Sequence, residues 1–201
     1  MTYGVAARTE ILEEDQLRAN LYEYLGRCLV RSVDADVLKA TADFSGDHTG
    51  IGDALSALSR LAKSVDPSSI EREYHDLFIG VGRGELVPFA SYYLTGFLHE
   101  KPLAKLRGDM RALGIARADE VKEPEDHIGS LMEMMAGLVT GAFGPPADIS
   151  VQRDFFVTHI EPWATHFFKD LEAAKASVFY QPIGRLGSEF MEIEAQAFSM
   201  N

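Results

Sequence analysis

Residues 124–146 read PEDHIGSLMEMMAGLVTGAFGPP, and this stretch predicts a long helix with one buried face. Apolar side chains recur every three or four positions from Ile128 to Val139, which is the spacing of neighbours on one side of an α-helix. Pro124 fits the first position of this helix, because its missing N–H would have no partner there in any case. Gly144-Pro145-Pro146 ends the pattern, since neither residue type continues a helix well.

The same spacing of apolar residues continues on both sides of this stretch. It occurs in residues 17–29, 34–44, 51–65, 68–79, 91–99, 102–114, 150–171 and 182–197. We find no convincing strand pattern and no internal repeat. The sequence therefore predicts an all-α fold, a single-domain helical bundle of about eight to nine helices that covers residues 1–201.

Several residue types predict where these helices begin, end or bend. Asp34 is a plausible N-cap, and Ser68 and Glu71 have the spacing of a capping box. Gly114 suits the left-handed residue that follows a helix. Pro162 lies inside the pattern of residues 150–171, where a missing N–H predicts a kink.

The composition limits the classes of protein to which this chain can belong. Its 201 residues, of which 46% are hydrophobic, are enough for a packed core. A single cysteine excludes an internal disulfide framework and any multi-cysteine metal site. The chain has 31 acidic and 19 basic residues, and a net charge of −12 argues against nucleic acid and suits a cationic partner.

The chain shows no sign of membrane insertion or export. No apolar stretch approaches the roughly 18 residues that a membrane-spanning helix needs. The first residues, Met1-Thr2-Tyr3-Gly4, have neither the basic nor the apolar region of a signal peptide. We therefore expect a cytoplasmic location and no membrane insertion.

Metal and nucleotide sites find little support in the sequence. The six histidines occur in neither a Glu-x-x-His nor a His-Glu-x-x-His pattern, so we expect no metal and no cofactor. Cys28 lies on an apolar stripe and is expected to be a buried small hydrophobe. The glycines at 80, 82 and 84 follow a helix and precede no Lys-Ser or Lys-Thr, which favours a turn over a phosphate loop.

The run Glu123-Pro124-Glu125-Asp126-His127 has two readings. Carboxylates in the first turn of a helix are stabilised by the helix dipole, which explains the acids without any function. It does not explain His127, because histidine prefers the opposite end of a helix. A histidine beside carboxylates at an exposed helix start could instead hold a cationic or peptide ligand, with Asp126 and His127 part-exposed.

A second group of candidate residues steps by four along residues 150–171. His159, Trp163 and Phe167 share one helix face in this pattern. Phe167 is expected in the core, because aromatic residues at helical spacing are usually buried. Trp163 follows Pro162, and a kinked helix that carries Trp163 and His159 can line a groove.

Three blocks of sequence together resemble the TorD/DmsD/NarJ-type redox-enzyme maturation chaperones. The first is Tyr74-His75-Asp76-Leu77-Phe78-Ile79-Gly80-Val81-Gly82, followed by Pro88 and Ser91-Tyr92-Tyr93. The second is Glu123-Pro124-Glu125-Asp126-His127-Ile128, and the third is Phe156-Val157-Thr158-His159-Ile160-Glu161-Pro162-Trp163 with Phe167. They follow the order that they have in the family and span residues 74–167.

The resemblance implies an all-helical cytoplasmic chaperone without catalysis. Such proteins bind the twin-arginine signal peptide, or the apoprotein, of a molybdenum-cofactor oxidoreductase and hold it for cofactor insertion before export. The family's peptide-binding block maps onto Asp126 and His127. The peptide-binding residues expected from this reading are Tyr74, Phe78, Glu123, Glu125, Asp126, His127, His159 and Trp163.

The charges and apolar residues of these blocks suit such a peptide. Arginine pairs well with carboxylates, which Glu123, Glu125 and Asp126 would supply. An apolar stretch would need an aromatic or methionine-lined groove between helices. We expect a monomer or a homodimer. Two other readings stay open: a structural assembly subunit of a redox complex, and a small helical enzyme with weak nucleotide hydrolysis.

The chain departs from the family pattern in its first block. Val81 stands where the family usually has proline, and the run that usually reads Pro-Tyr-Glu-Ser is Pro88-Phe89-Ala90-Ser91 here. The acid of that run is therefore missing. We carry over no ligand role to residues 81–90, while the fold expectation is unaffected.

Overall fold

A computed structural model describes residues 11–117 and 122–200 of the chain. Helices account for nearly all of the regular structure in these residues, which confirms the predicted all-α fold. Their bounds are α1 Glu13–Val30, α2 Ala35–Ala42, α3 Gly50–Ala62, α4 Pro67–Tyr74, a π-helical turn His75–Ile79, α5 Ala90–Thr95, α6 Lys101–Ala112, α7 Ile128–Thr140, α8 Ile149–His159, α9 Ala164–Ala173 and α10 Tyr180–Ser199.

The described residues contain more helices than the eight to nine predicted, because one predicted helix is divided in two. The pattern of residues 150–171 predicts a single kinked helix, and the structure has α8 and α9 instead. Helix α8 ends at His159, and the backbone of Trp163, directly after Pro162, lies outside the helical conformation with a φ of −148° and a ψ of −24°. A proline cannot donate the bond that would have joined the two pieces, so the chain turns there.

Other helix ends agree only in part with the sequence patterns. Asp34 caps α2 as predicted, since its carboxylate accepts hydrogen bonds from the backbone N–H of Asp36 and of Val37. Gly114 has a φ of 71°, which confirms its left-handed conformation. The prediction that Ser68 caps this helix is wrong, because α4 begins at Pro67 and the side chain of Asp66 caps it.

The centre of the fold is α7, which is buried on nearly all sides. It packs along α1, and the two backbones approach closely where Gly26 faces Gly129. A Cβ placed on Gly26 would lie 3.2 Å from the carbonyl oxygen of Gly129, so a larger residue would push the helices apart. Cys28 belongs to this core and is buried, as its sequence position predicts.

A buried polar cluster ties α1 to α10. Arg18 donates to both carboxylate oxygens of Glu194 at 2.8 Å, through Nε and Nη2. The hydroxyl of Tyr22 donates to the same carboxylate at 2.8 Å. Glu194 is 1% exposed, so these bonds satisfy a charge that has almost no water around it.

Two glutamates that flank Tyr74–Gly82, the main run of the first sequence block, hold the turn between α9 and α10. The carboxylate of Glu73 accepts the backbone N–H groups of Val178, Phe179 and Tyr180. The carboxylate of Glu85 accepts those of Lys175 and Ala176. These bonds satisfy donors at the start of α10 and fix α10 beside the segment that carries Tyr74 and Phe78.

Among the described residues, no helix has both the length and the apolar character needed to cross a membrane.

Candidate functional site

The first two sequence blocks meet in the structure. Residues 88–90 run antiparallel to residues 126–128, with Ala90 N–H bonded to Asp126 O and Ile128 N–H bonded to Pro88 O, both at 2.9 Å. This pairing holds residues 124–127 outside α7, which begins at Ile128. The prediction that Pro124 opens α7 is therefore wrong. Consecutive side chains on an extended segment point to opposite sides, which separates Asp126 from His127.

His127 faces a groove of about 700 Å³ that α1, the π-helical turn, the paired segments and α7 enclose. Its aromatic and aliphatic side chains come mainly from residues 74–89, and we call this part of the lining the aromatic wall. Its charged side chains come from the end of α1, from α7 and from the 122–123 segment. Its lining consists of Arg27, Val30, Arg31, Ser32, Tyr74, Phe78, Ile79, Pro88, Phe89, Lys122, Glu123, His127, Ser130 and Glu133. We call this the aromatic groove.

The aromatic wall is held by ring contacts behind it. The ring of Phe78 lies 5.0 Å from that of Tyr74 and 5.7 Å from that of the buried Tyr180. The hydroxyl of Tyr74 donates to the carbonyl of Leu29 at 3.2 Å. Burial, followed by the charge of Glu123, raises the pKa of Tyr74 to about 12, so Tyr74 is neutral and Glu123 lies near it. The wall is therefore rigid and uncharged at neutral pH.

His127 contributes a neutral ring to the groove rather than a charge. It caps α7, with Gly129 N–H donating to its Nδ1 at 3.1 Å, and its ring lies 5.1 Å from that of Phe89. It is 7% exposed, so the expectation of a part-exposed His127 is wrong. Burial lowers the pKa of His127 to about 4, because the cation would lose its hydration.

The buried His127 predicts a loss of stability in mild acid. Between pH 6.5 and 4 the unfolded chain binds a proton at this position and the folded chain does not, so stability falls as pH falls through that window. From pH 7 to pH 5 the loss from His127 alone is expected to be about 2 kcal/mol. The measurement is urea unfolding at both pH values for wild type and His127→Asn, which keeps a capping acceptor. Equal pH dependence in the two proteins would contradict the assignment.

The side chain of Asp126 does not line the groove, and its carboxylate is bonded within the protein instead. It is 1% exposed, and its Oδ2 accepts the backbone N–H of Ser91 at 2.8 Å and also the hydroxyl of Ser91. These bonds tie the start of α5 to the segment before α7. The expectation of a part-exposed Asp126 is therefore wrong, because the paired backbone turns this side chain inward. It borders a second cavity of about 390 Å³ between α5, α6 and α8.

Glu125 also has its partners within the protein. Arg107 donates to its Oε2 through Nε at 3.0 Å and Nη2 at 2.8 Å, and an Arg117 nitrogen lies 3.9 Å from Oε1. Burial, the largest single influence, would raise the pKa of Glu125, but the hydrogen bonds from Arg107 and from the backbone, together with the charges of Arg107 and Arg117, hold that pKa below its usual value. The structure therefore does not bring Glu125 to the groove.

The third block lies outside the aromatic groove. Trp163 is 1% exposed, its Nε1 donates to the carbonyl of His159 at 2.9 Å, and its ring packs against Tyr93. His159 is bonded through Nε2 to Asp109 at 2.8 Å and borders the second cavity. Burial lowers the pKa of His159, although Asp109 opposes the shift. The expectation that Trp163 lines a groove is wrong, because the turn at Pro162 directs its ring into the core.

The structure thus brings four of the eight expected residues together in one groove. They are Tyr74, Phe78, Glu123 and His127. Within residues 11–117 and 122–200, no three His, Cys, Asp or Glu side chains are grouped so as to hold a metal ion. That the protein carries no cofactor stays a prediction.

Comparison with known proteins supports the resemblance of the three blocks. The sequence model of the nitrate reductase delta subunit family matches residues 45–169, which include all three. The chain belongs to the nitrate reductase delta subunit family.

Relatives of this family member carry chaperone names. The chaperone protein TorD of Vibrio cholerae serotype O1 (strain M66-2) is 27% identical over 163 residues, which are 77% of this chain and 74% of TorD. The Tat proofreading chaperone DmsD of Haemophilus influenzae is 32% identical over 120 residues, or 59% of this chain and 56% of DmsD. These similarities confirm the TorD/DmsD resemblance.

A solved structure supports the fold of this nitrate reductase delta subunit family member. The crystal structure of a redox enzyme maturation protein from Archaeoglobus fulgidus superposes with a TM-score of 0.57 and 22% sequence identity. The similarity covers 94% of this chain and 99% of that chain. At this identity it concerns the fold alone.

Sequence reasoning missed several groove residues of this family member. Arg27 comes from α1 and Arg31 directly follows it, more than 40 positions before the first block, and Glu133 comes from the middle of α7. Phe89 replaces the tyrosine of the family pattern, yet its ring contacts His127. No local pattern marks these residues, because only the packing of α1 on α7 and the pairing of residues 88–90 with 126–128 places them in the groove.

Proposed function

We propose that this protein is a cytoplasmic, non-catalytic chaperone that binds the twin-arginine signal peptide of a molybdenum-cofactor oxidoreductase in the aromatic groove. The observation that carries the proposal is the joining of the first two family blocks into one rigid aromatic groove. The names of the relatives, TorD and the Tat proofreading chaperone DmsD, support the class of function.

The aromatic wall would bind the apolar stretch of the peptide. Tyr74, Phe78 and Phe89 present large ring surfaces that lose little conformational freedom on binding, since ring contacts already hold them. Pro88 and Ile79 extend the apolar surface. A peptide helix or extended segment would therefore gain buried apolar area without a large ordering cost in the protein.

The arginine pair of the peptide would meet Glu123. This residue is exposed and lines the groove, and no side chain in the described part of the chain pairs with its carboxylate. Asp126 and Glu125 already accept bonds from Ser91 and Arg107. Of the three carboxylates expected to receive arginine, Glu123 is therefore the one we assign to the peptide.

The chemistry of the lone cysteine agrees with a non-catalytic role. Burial raises the pKa of the Cys28 thiol to about 12, so it is no nucleophile at neutral pH. The ring of His127 is buried, and its Nδ1 already accepts the N–H of Gly129. Neither group is arranged for bond-making chemistry.

Removing one ring from the groove is expected to weaken peptide binding at least tenfold. Phe78→Ala deletes a groove ring, whereas Phe44→Ala deletes another partly buried ring, which packs on Tyr24 and does not line the groove. The measurement is calorimetric titration of a synthetic peptide with two arginines and an apolar stretch into wild type and both variants, with thermal melts alongside.

The matched pair separates binding from folding. Both variants should melt below wild type by similar amounts, because each loses a half-buried ring, but only Phe78→Ala should lose affinity. Equal affinities in all three proteins would show that the groove is not the peptide site. If wild type binds the apo oxidoreductase but not the peptide, the ligand is the mature part of the client and not its signal peptide.

A further inference from the structure

The aromatic groove has a charge pattern opposite to that of the whole protein. The chain has a net charge of −12, yet three basic and two acidic side chains line the groove. The basic ones are Arg27, Arg31 and Lys122, and the acidic ones are Glu123 and Glu133. His127 adds no charge at neutral pH, because it is buried. The groove is thus a basic region on an acidic molecule.

Two of the basic side chains lie at the end of α1. Arg27 lies in the last turn of α1 and Arg31 is the extended residue that directly follows this helix, and both line the groove together with Val30. Both side chains are exposed. Within the described residues Arg27 makes no ion pair, and the nearest carboxylate oxygen to Arg31 belongs to the exposed Asp34, at 3.7 Å. Both guanidinium groups therefore have free donors.

Glu133, an acidic side chain of the groove itself, interacts electrostatically with Arg31 but forms no ion pair with it among the described residues. Glu133 lies on α7, and burial raises its pKa, with Arg31 opposing that shift and Glu23 adding to it. No hydrogen bond joins Glu133 to either arginine among the described residues. A carboxylate brought by a ligand would instead meet two forked donors at the edge of an apolar wall, which is the geometry that arginine favours for bidentate pairing.

We propose that Arg27 and Arg31 bind an acidic side chain of the client peptide, so that the groove selects a peptide that carries a carboxylate in addition to its two arginines and its apolar stretch. This inference rests on the proposed function. Glu123 belongs to the 122–123 segment, whereas Arg27 and Arg31 lie at the end of α1, so the acidic and the basic contacts come from different elements. A bound peptide would therefore be selected by its charges as well as by its apolar residues.

A charge-swap titration tests the proposal. The probes are synthetic peptides with the same two arginines and apolar stretch, carrying glutamate, glutamine or lysine at successive positions past that stretch. The proteins are wild type, Arg27→Glu/Arg31→Glu, and the control Arg60→Glu, which alters an exposed arginine on α3. Affinities are measured at low salt, because exposed charge pairs are screened at high salt.

At one of the varied peptide positions, wild type and the Arg60→Glu control are expected to bind the glutamate peptide about tenfold more tightly than the glutamine peptide. The double variant should reverse this preference and favour lysine at the same position. Equal binding of glutamate and glutamine peptides at every position would overturn this inference while leaving the proposed function in place. Failure of wild type to bind any of the peptides would overturn both.

Discussion

Asp126→Ala is expected to lower the free energy of unfolding by about 3 kcal/mol. The variant removes the acceptor of two buried bonds, from the backbone N–H and the hydroxyl of Ser91, and hydrogen bonds to a charged group contribute about 1.5–3 kcal/mol each. The loss of Oδ1, which has no partner among the described residues, offsets part of the cost. Chemical unfolding of wild type and variant measures the difference.

Two further variants show whether this cost comes from the bonds to Ser91. Glu123→Ala lies three residues earlier in the same segment, on an exposed side chain, and should change stability by less than about 0.5 kcal/mol. Ser91→Ala combined with Asp126→Ala should cost clearly less than the sum of the two single variants, because they remove the same contact. A loss of only 0.3–1 kcal/mol for Asp126→Ala, as an exposed helix-start acid would give, would contradict the structure.

Glu194→Ala is expected to have the largest effect, a loss of about 4 kcal/mol. Removing one partner of a buried ion pair leaves the other charge desolvated without compensation. Here the variant leaves the hydroxyl of the fully buried Tyr22 without its acceptor, and it removes two bonds from Arg18, which keeps only those to Asp15 and Gln152. Because the cluster joins α1 to α10, the loss should appear in the global unfolding transition.

A neighbouring glutamate on the same helix provides the control. Glu192 pairs with Lys169 at 3.0 Å on the surface, where both side chains are more than half exposed, so Glu192→Ala should cost less than 1 kcal/mol. Replacing both partners, Arg18→Met with Glu194→Met, should recover much of the stability, since the only charge then left without its partner is that of the more exposed Asp15. Similar losses for Glu192→Ala and Glu194→Ala would show that the buried cluster contributes no more than a surface pair.

The fold could be predicted further than the site could. Helical spacing is a local signal, and it correctly indicated helices throughout the chain. The start of α7 was misplaced because Pro124 satisfies every local rule for a first helical residue. What overrules it is the pairing of Pro88 and Ala90 with Asp126 and Ile128, which joins residues more than 30 positions apart. Similarly, the local pattern showed that Pro162 disturbs a helix but not that the helix would divide there.

The charges of the site were the least predictable part. The acidic run 123–126 suggested three carboxylates for a cationic ligand, but neighbouring elements decide which of them is free. Arg107 on α6 donates hydrogen bonds to Glu125, and Ser91 on α5 donates hydrogen bonds to Asp126. The arginines of α1 then enter the groove from a distant part of the chain. Long-range packing, which no short motif records, therefore determines the electrostatics of the groove.

The most direct test of the central claim is to map the bound peptide on the isotope-labelled protein by nuclear magnetic resonance. An unlabelled peptide with two arginines and an apolar stretch is added in steps, and shift changes are followed for ring and backbone signals. The account predicts the largest changes at Tyr74, Phe78, Phe89 and His127, with Phe44 unaffected. Shift changes centred on the second cavity beside Asp126 and His159, without changes for the residues of the aromatic groove, would contradict it.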